Sequence, residues 1–303
     1  MPDDIEIRLG AAIAQVPELR GWSGTPERLG GLTNLVFRLG DHCLRLPGKG
    51  TEDYINRSHE AVAARQAAHA GVSPQVVFAD PSTGVMVTRF IQGVRTMTPE
   101  AFRADPGAVV RAGRALRKLH TSSAVFPFTF ELFAMIDDYL RILSGKTVEL
   151  PTGYCDVVRE AESVRAALAR WPLPQVACHC DPLCENFLDT GEVVYLVDWE
   201  YSGMNDPMWD LGDLSVESGF DATQDALLLE AYFGAEPSPA DCGRMVIYKA
   251  MCDLLWTLWG LIQLANGNPA DDFRAYADSR FARCQALMAD PLFAESLDAV
   301  RHG

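Results

Sequence analysis

Short apolar runs separated by turn residues dominate roughly the first 90 residues of the chain. Short strand-like runs lie at 35–39 and 43–46, and the triplet Gly40-Asp41-His42 between them is typical of a hairpin turn. Two later runs predict a second pair of strands, and helical spacing predicts a leading helix and an alanine-rich one. We expect these strands at 76–78 and 85–88, and these helices at about 3–15 and 56–70.

The pattern changes after about residue 92, where apolar residues recur three or four positions apart. This spacing predicts helices at 99–120, 130–144, 155–171, 223–233 and 238–265. A hairpin interrupts them, because the apolar runs 187–188 and 193–197 flank an Asp-Thr-Gly turn. A small β-rich lobe (1–92) followed by a larger, mainly helical lobe (93–303) is an α+β arrangement, the layout of the protein-kinase-like bilobal fold.

The charge balance narrows the class of partner. The 303 residues include 41 acidic and 26 basic side chains, a formal net charge of −15. This acidity argues against nucleic acid, which needs a basic face, and weakly favours a cationic ligand. The start of the chain lacks the features of a signal peptide, and the apolar run 254–262 is too short to span a bilayer. We therefore expect a cytoplasmic protein with no membrane partner.

The eight cysteines read as reduced thiols in a chain without a signal peptide. Three of them, at 178, 180 and 184, surround His179 and suggest zinc, but the spacing lacks a second CxxC pair. The same segment fits HxDxxxxN, with Asp181 and Asn186 in the last two defined positions, followed by the hairpin and Asp198. In phosphoryl transfer, the first Asp accepts the proton of the acceptor hydroxyl, while the Asn and the second Asp hold magnesium. Asp181 and Asn186 are therefore the predicted catalytic residues, and Asn186 and Asp198 the predicted metal ligands.

The region around these residues resembles the choline/ethanolamine kinase family, a branch of the aminoglycoside-phosphotransferase-like kinases. The segment from Asp198-Trp199-Glu200-Tyr201 to Asn205-Asp206-Pro207, followed by Asp210-Leu211-Gly212, carries the resemblance. Three further segments resemble motifs of the same family and occur in the same order along the chain: Gly30-Gly31-Leu32-Thr33-Asn34, Leu44-Arg45-Leu46 and Trp256-Thr257-Leu258-Trp259-Gly260. The resemblance covers about residues 25–285. The resemblance implies that Asp210 braces the catalytic loop.

On the nucleotide side, the resemblance implies binding of ATP with Mg²⁺. Arg45 takes the position of the phosphate-binding strand lysine of protein kinases, with Glu60 as its expected ion-pair partner and Glu52 as a competing one. The hinge that meets adenine is expected to include Thr88 and Phe90. The phosphate loop is expected to use Gly30, Gly31, Thr33 and Asn34.

On the substrate side, Trp256 and Trp259 are three residues apart and share one helix face, a spacing that by itself is more typical of a core. The resemblance instead implies a pocket in which their rings bind a quaternary ammonium. It adds Tyr201, Phe273 or Tyr276, and Glu217, whose charge would offset the ammonium. Asp181 would face the hydroxyl of the same substrate.

These inferences predict an ATP- and Mg²⁺-dependent choline kinase. Ethanolamine, thiamine or an aminoglycoside are alternative acceptors, although the tryptophan pair argues against the last. A catalytically idle protein that binds choline or nucleotide is the alternative from another class, and the presence of Asp181, Asn186 and Asp198 argues against it. A homodimer is left open.

Overall fold

Antiparallel strands form a sheet at the start of the fold: β1 (Glu27–Gly30), β2 (Leu35–Leu39), β3 (His42–Leu46), β4 (Val76–Asp80) and β5 (Val85–Arg89). The computed structural model describes residues 4–30, 34–48, 55–269 and 271–303, and in them these strands lie in the order β1-β2-β3-β5-β4. Leu39 pairs with His42 across the turn between β2 and β3, where Gly40 has a φ of +63°. The predicted hairpin is therefore confirmed, and β4 and β5 form the second predicted pair.

Two helices accompany this sheet, α1 (Asp4–Gln15) and α2 (Arg57–His69). Leu9 and Ala12 of α1 pack into the same core cluster as Leu39 and Leu44 of the sheet. Asn56 caps α2, since its side-chain oxygen accepts hydrogen bonds from the backbone N–H groups of Ser58 and His59. Both helices match their predicted positions to within a residue or two.

The rest of the described chain is mainly helical. Its helices are α3 (Pro99–Ala104), α4 (Pro106–His120), α5 (Leu132–Ser144), α6 (Tyr154–Arg170), α7 (Pro207–Ser218), α8 (Ala222–Phe233), α9 (Pro239–Ala265), α10 (Phe273–Ala289) and α11 (Pro291–His302). The prediction of one helix over 99–120 was wrong, because Pro106 has no N–H to continue α3 and Asp105 instead caps α4. Helices α7, α10 and α11 were not predicted.

Short strands within this helical part carry the loops of the site. They are β6 (Arg95–Thr96), β7 (Val176–Cys178), β8 (Phe187–Asp189), β9 (Val194–Leu196) and β10 (Gly203–Asn205). The predicted hairpin is β8–β9, with β6 on its outer edge, while β7 pairs with β10. The segments after β7 and after β9 are consequently brought side by side. The Leu196 N–H also donates to the carbonyl of Val72 at 2.7 Å, which ties the hairpin to the sheet-bearing part.

Helix α9 lies at the centre of the helical part. Leu254, Leu255, Leu258 and Leu261 on it are completely buried. By length and composition α9 is apolar enough to cross a membrane, but 89% of its most apolar window is buried inside the protein. This is the burial expected of the core helix of a globular protein.

Candidate active site

A tight loop after β7 carries the start of the HxDxxxxN motif. Cys180 has a φ of +67°, a left-handed conformation that costs roughly 1–2 kcal/mol for a residue with a Cβ. Asp210 of α7 holds the loop in this shape, because its carboxylate oxygens accept hydrogen bonds from the N–H groups of His179 (2.7 Å) and Cys180 (2.9 Å). Trp209 Nε1 donates to the Cys180 carbonyl at 3.1 Å. Helix α7 thus fixes the backbone that presents Asp181.

Asp210 is itself anchored from behind by His120. The His120 Nε2 lies 3.0 Å from an Asp210 carboxylate oxygen, and its Nδ1 lies 3.0 Å from the hydroxyl of Tyr232. All three side chains are buried. A buried carboxylate with several hydrogen-bond partners is held rigidly, so the loop rests on a fixed support.

The predicted metal ligands Asn186 and Asp198 complete this part of the site. Asn186 Nδ2 donates to the Asp181 carbonyl at 3.0 Å, which joins the two ends of the motif. Asp198 follows β9 with a φ of +68°, and its buried Oδ1 has no hydrogen-bond partner among the residues that the structure describes. Arg45 Nη1 lies 3.5 Å from this oxygen. A buried carboxylate oxygen that accepts no hydrogen bond fits a bound cation.

A buried network of charges stands next to Asp198. Arg45 pairs with Glu60, as expected from the sequence, and its Nη1 also lies 3.3 Å from Glu200. Arg57 bridges the same two acids, at 2.9 Å from Glu60 and 2.5 Å from Glu200. Burial alone would lower the pKa of Arg45, but the Glu60, Asp198 and Glu200 carboxylates outweigh it and hold the pKa above its usual range. The Arg45 guanidinium is therefore a permanent positive charge at the site.

Asp181 and Asp198 lie where charge is disfavoured. Burial, followed by the Asp198 and Glu217 carboxylates, raises the pKa of Asp181 to about 8. Burial and then the Glu200 carboxylate raise the pKa of Asp198 to about 7. Asp181 therefore lies within electrostatic reach of both the Asp198 region and the Glu217 region. An excess of carboxylates of this kind favours an incoming cation.

The residues present fit a magnesium ion. Carboxylate oxygens of Asp198, Glu200 and Glu60 lie within 4.8 Å of one another, and one Asp198 oxygen accepts no hydrogen bond from the described residues. Hard oxygen donors of this kind are the ligands that Mg²⁺ prefers, usually one or two carboxylates together with phosphate oxygens. Glu200 was missed in the sequence, where an acid two residues after Asp198 carries no distinct signal. Glu60 and Glu200 both pair with Arg45 and Arg57, but Glu60 is the more deeply buried of the two, so Asp198 and Glu200 are the better donors.

The predicted nucleotide residues are only partly described. Gly30 ends β1, whereas Gly31, Thr33 and the alternative partner Glu52 lie outside the described residues. Asn34 is buried, donates to Glu200 at 2.9 Å and accepts from the Gly48 N–H at 3.2 Å. Its amide thus joins the strand β2 region to the segment that follows Asp198.

The two predicted hinge residues lie at the end of β5. Thr88 is paired with Cys43 of β3. The Phe90 N–H donates to the Asp41 carbonyl at 2.9 Å, and the guanidinium carbon of Arg38 stands 4.2 Å from the centroid of its ring. Both residues are therefore held against the β2–β3 hairpin.

Aromatic rings cluster where α9, α10 and the segment after β9 meet. Trp259 is central, with ring centroids 6.1 Å from Trp256, 5.5 Å from Phe273 and 5.7 Å from Tyr276. The ring centroid of Tyr201 lies 5.4 Å from that of Trp256. Phe273 and Tyr276, which the sequence left as alternatives, therefore both belong to one cluster with the other three rings. All four contacts are edge to face, which is favourable for aromatic pairs. We call these five residues the aromatic box.

Glu217 lies near this aromatic box, but its carboxylate is already paired. Arg280 of α10 binds both of its oxygens, at 2.5 and 3.0 Å, and the guanidinium carbon stands 4.7 Å from the centroid of the Tyr276 ring. Arg283 binds Asp253 through two contacts of 2.7 Å. These pairs could not be predicted from the sequence, because arginines on a helix are most often exposed.

Comparisons with known proteins agree with this geometry. The chain matches the family model described as phosphotransferase enzyme family over residues 25–242. It is similar to the crystal structure of a choline/ethanolamine kinase family protein from Mesorhizobium loti, with 68% identity and a TM-score of 0.94, covering 98% of this chain and 99% of that one.

Two more distant relatives are choline kinase LicA from Streptococcus pneumoniae and Protein LicA from Haemophilus influenzae. The first is 26% identical with a TM-score of 0.79, covering 95% of this chain and 99% of that one. The second is 24% identical over 262 residues, covering 81% of this chain and 75% of the relative. The similarity thus spans both the sheet-bearing part and the helical part.

Proposed function

We propose that this chain, which belongs to the choline/ethanolamine kinase family of phosphotransferases, is a choline kinase that transfers the γ-phosphate of ATP to the choline hydroxyl. That it is a phosphotransferase acting on an alcohol follows from the family. The observation that supports choline is the aromatic box, whose Tyr276 packs against Arg280, a guanidinium within electrostatic reach of Asp181. A trimethylammonium group has no N–H to donate, and aromatic faces attract it by roughly 0.5–2 kcal/mol for each contact.

The aromatic box and Asp181 would act at successive stages of this transfer. The aromatic box would orient the ammonium, so that the hydroxyl two carbons away points to Asp181. The Asp181 carboxylate would then accept the hydroxyl proton as the oxygen attacks phosphorus. Its raised pKa, about 8, is a useful one for a base that works near neutral pH.

On the other side of Asp181, the protein would stabilise the phosphates. Arg45 carries a permanent charge whose position is fixed by Glu60. Asp198, Asn186 and Glu200 would hold Mg²⁺, which supplies positive charge against the β- and γ-phosphates when bound. In such a site, positioning and fixed charges provide most of the rate enhancement.

A cytoplasmic location would provide this enzyme with ATP. All eight cysteines, which lie within the described residues, are free thiols. Cys178, Cys180 and Cys252 are also buried, so they pack as small apolar side chains. Free thiols in this number are in keeping with a reducing compartment.

The proposal is tested by measuring ADP release with choline, ethanolamine, thiamine and kanamycin at equal concentrations. We expect the highest kcat/KM with choline. A higher value with ethanolamine would keep the kinase chemistry and move the substrate to the primary ammonium, and no turnover with either would overturn the proposal. Addition of EDTA in excess over magnesium should stop ADP release, and turnover that persists would contradict the metal assignment.

A further inference from the structure

The charges around the aromatic box do not balance. Glu217 is matched by Arg280 and Asp253 by Arg283. Asp213 lies one helical turn before Glu217 on α7 and has no ion pair among the described residues. The pocket therefore contains one carboxyl group more than its arginines neutralise, in addition to Asp181.

Asp213 is an unusual residue in its surroundings. It is completely buried, and its Oδ1 accepts a hydrogen bond from the Cys252 thiol at 3.1 Å. Its Oδ2 is buried without a hydrogen-bond partner in the described part of the chain. Burial, followed by the Glu217 and Asp181 carboxylates, raises the pKa of Asp213 well above its usual range, so the group releases its proton to water only when a positive charge enters the pocket. An isolated buried carboxyl group is costly unless something offsets its charge.

The position of Asp213 ties it to the substrate side of the site. Its carboxylate lies within 4.8 Å of the Glu217 carboxylate and the Cys252 thiol. Cys252 is one helical turn before Trp256 on α9, so Asp213 borders the wall that carries the tryptophans. These three groups do not suit a metal, because the Arg280 guanidinium already binds both Glu217 oxygens.

We infer that Asp213, rather than Glu217, is the carboxylate that compensates the positive charge of the substrate and thereby selects cationic over neutral alcohols. This rests on the proposed function, in which an ammonium group occupies the aromatic box. Direct contact is not required, because a charge acts over several ångströms in a buried site where water does not screen it. Glu217 instead fixes Arg280 against Tyr276 and thus shapes the pocket.

The experiment compares each ammonium with its neutral isostere. Choline is paired with 3,3-dimethyl-1-butanol, in which carbon replaces nitrogen, and ethanolamine with 1-propanol. For each pair, the ratio of kcat/KM values measures charge selection. We expect Asp213→Asn to reduce this ratio by about 10- to 100-fold, because kcat/KM should fall for the ammonium substrate and not for the neutral alcohol. The amide keeps the shape of the side chain but loses its charge. Turnover of the neutral alcohol by the variant shows that it is folded.

Two comparison variants make the result specific. Asp278→Asn removes the same charge from α10, where the side chain is 43% exposed, and should leave the ratio unchanged. Glu217→Gln combined with Arg280→Gln removes a matched pair and should retain the preference for the cation. The inference is overturned if the double variant loses charge selection while Asp213→Asn keeps it.

The two proposals fail in different ways. If the wild-type enzyme prefers ethanolamine, choline is wrong as the substrate, and the ethanolamine and 1-propanol pair still tests Asp213. If the wild-type enzyme uses choline and Asp213→Asn keeps the wild-type ratio, the proposed function stands and the role of Asp213 is refuted. Choline titrated into each variant by calorimetry provides a second readout, in which Asp213→Asn should bind choline about 10-fold or more weakly.

Discussion

Replacement of Gly260 by alanine tests whether the close approach of α9 and α10 builds the aromatic box. A Cβ at Gly260 would lie 2.8 Å from Cδ1 of Tyr276 and 3.3 Å from Cβ of Ala277. Carbon atoms pack at about 3.5–4.0 Å, so the Tyr276 ring or α10 has to move by roughly 1 Å. Overpacking of this kind costs about 1–3 kcal/mol.

The cost is partly hidden, because alanine is the better helix former by about 1 kcal/mol. Gly10→Ala in α1 is the matched control, since nothing lies within 4 Å of a Cβ at that position. The control should gain the helix propensity alone. In urea unfolding, Gly260→Ala should therefore be less stable than Gly10→Ala by about 1–3 kcal/mol, which is the overpacking cost itself.

The same change should affect substrate binding selectively. Displacement of the Tyr276 face removes a cation–π contact, which corresponds to a rise of about 2- to 30-fold in the KM for choline. The KM for ATP should not change, because the atoms nearest to a Cβ at Gly260 all belong to α10 and not to the nucleotide side of the site. The reasoning is refuted if Gly260→Ala matches Gly10→Ala in both stability and the KM for choline.

Further predictions concern the catalytic loop, the charge network and the tryptophans. Asp181→Asn should lower kcat by about 10²- to 10⁴-fold while nucleotide still binds in a titration, and near-normal turnover would contradict its role as base. Glu60→Gln should lower the free energy of unfolding by about 1–3 kcal/mol and raise the KM for ATP, because Arg45 loses its buried partner. An unchanged KM for ATP would show that this ion pair does not contribute to phosphate binding. Trp256→Leu should raise the KM for choline more than the KM for ATP, and equal effects on both would show that the ring serves core packing and not substrate binding. Burial raises the pKa of Asp181 to about 8 and that of Asp198 to about 7, so between about pH 4 and pH 8 these two groups hold more protons in the folded protein than in the unfolded chain. The stability that they contribute should therefore fall as the pH rises through this window. The Tm of the metal-free protein, measured from about pH 5 to pH 8, should accordingly fall less in Asp181→Asn than in the wild type, and parallel curves would rule out this explanation.

The elements with strong local signals were predictable from the sequence. The hairpin around Gly40 and the helix that follows Asn56 contain their own turn and capping residues, and the structure places them as predicted. Helix α7 was not predicted, because it is buried on nearly every side and includes charged residues such as Asp210 and Asp213. Such a sequence has neither the apolar stripe of a surface helix nor the uniform apolarity of an ordinary core helix.

The candidate site was predictable where a motif fixes the spacing. Asp181, Asn186 and Asp198 lie in one motif, and the resemblance added the rings of the aromatic box. Arg280 and Asp213 could not be found in this way, since their roles depend on which charges the packing of α7, α9 and α10 leaves paired. Local spacing does not encode a balance of charges that is established only in the folded protein.

The burial of α9 also has a consequence for synthesis of the chain. Helices α10 and α11 cover α9, and the contact is so close that a Cβ at Gly243 would lie 2.7 Å from the Ser296 carbonyl oxygen. Both covering helices are made after α9, so a ribosome releases a helix apolar enough to cross a membrane before its cover exists. We therefore expect the nascent chain to expose this apolar helix until the residues after 272 have emerged, a stage at which exposed apolar surface favours aggregation.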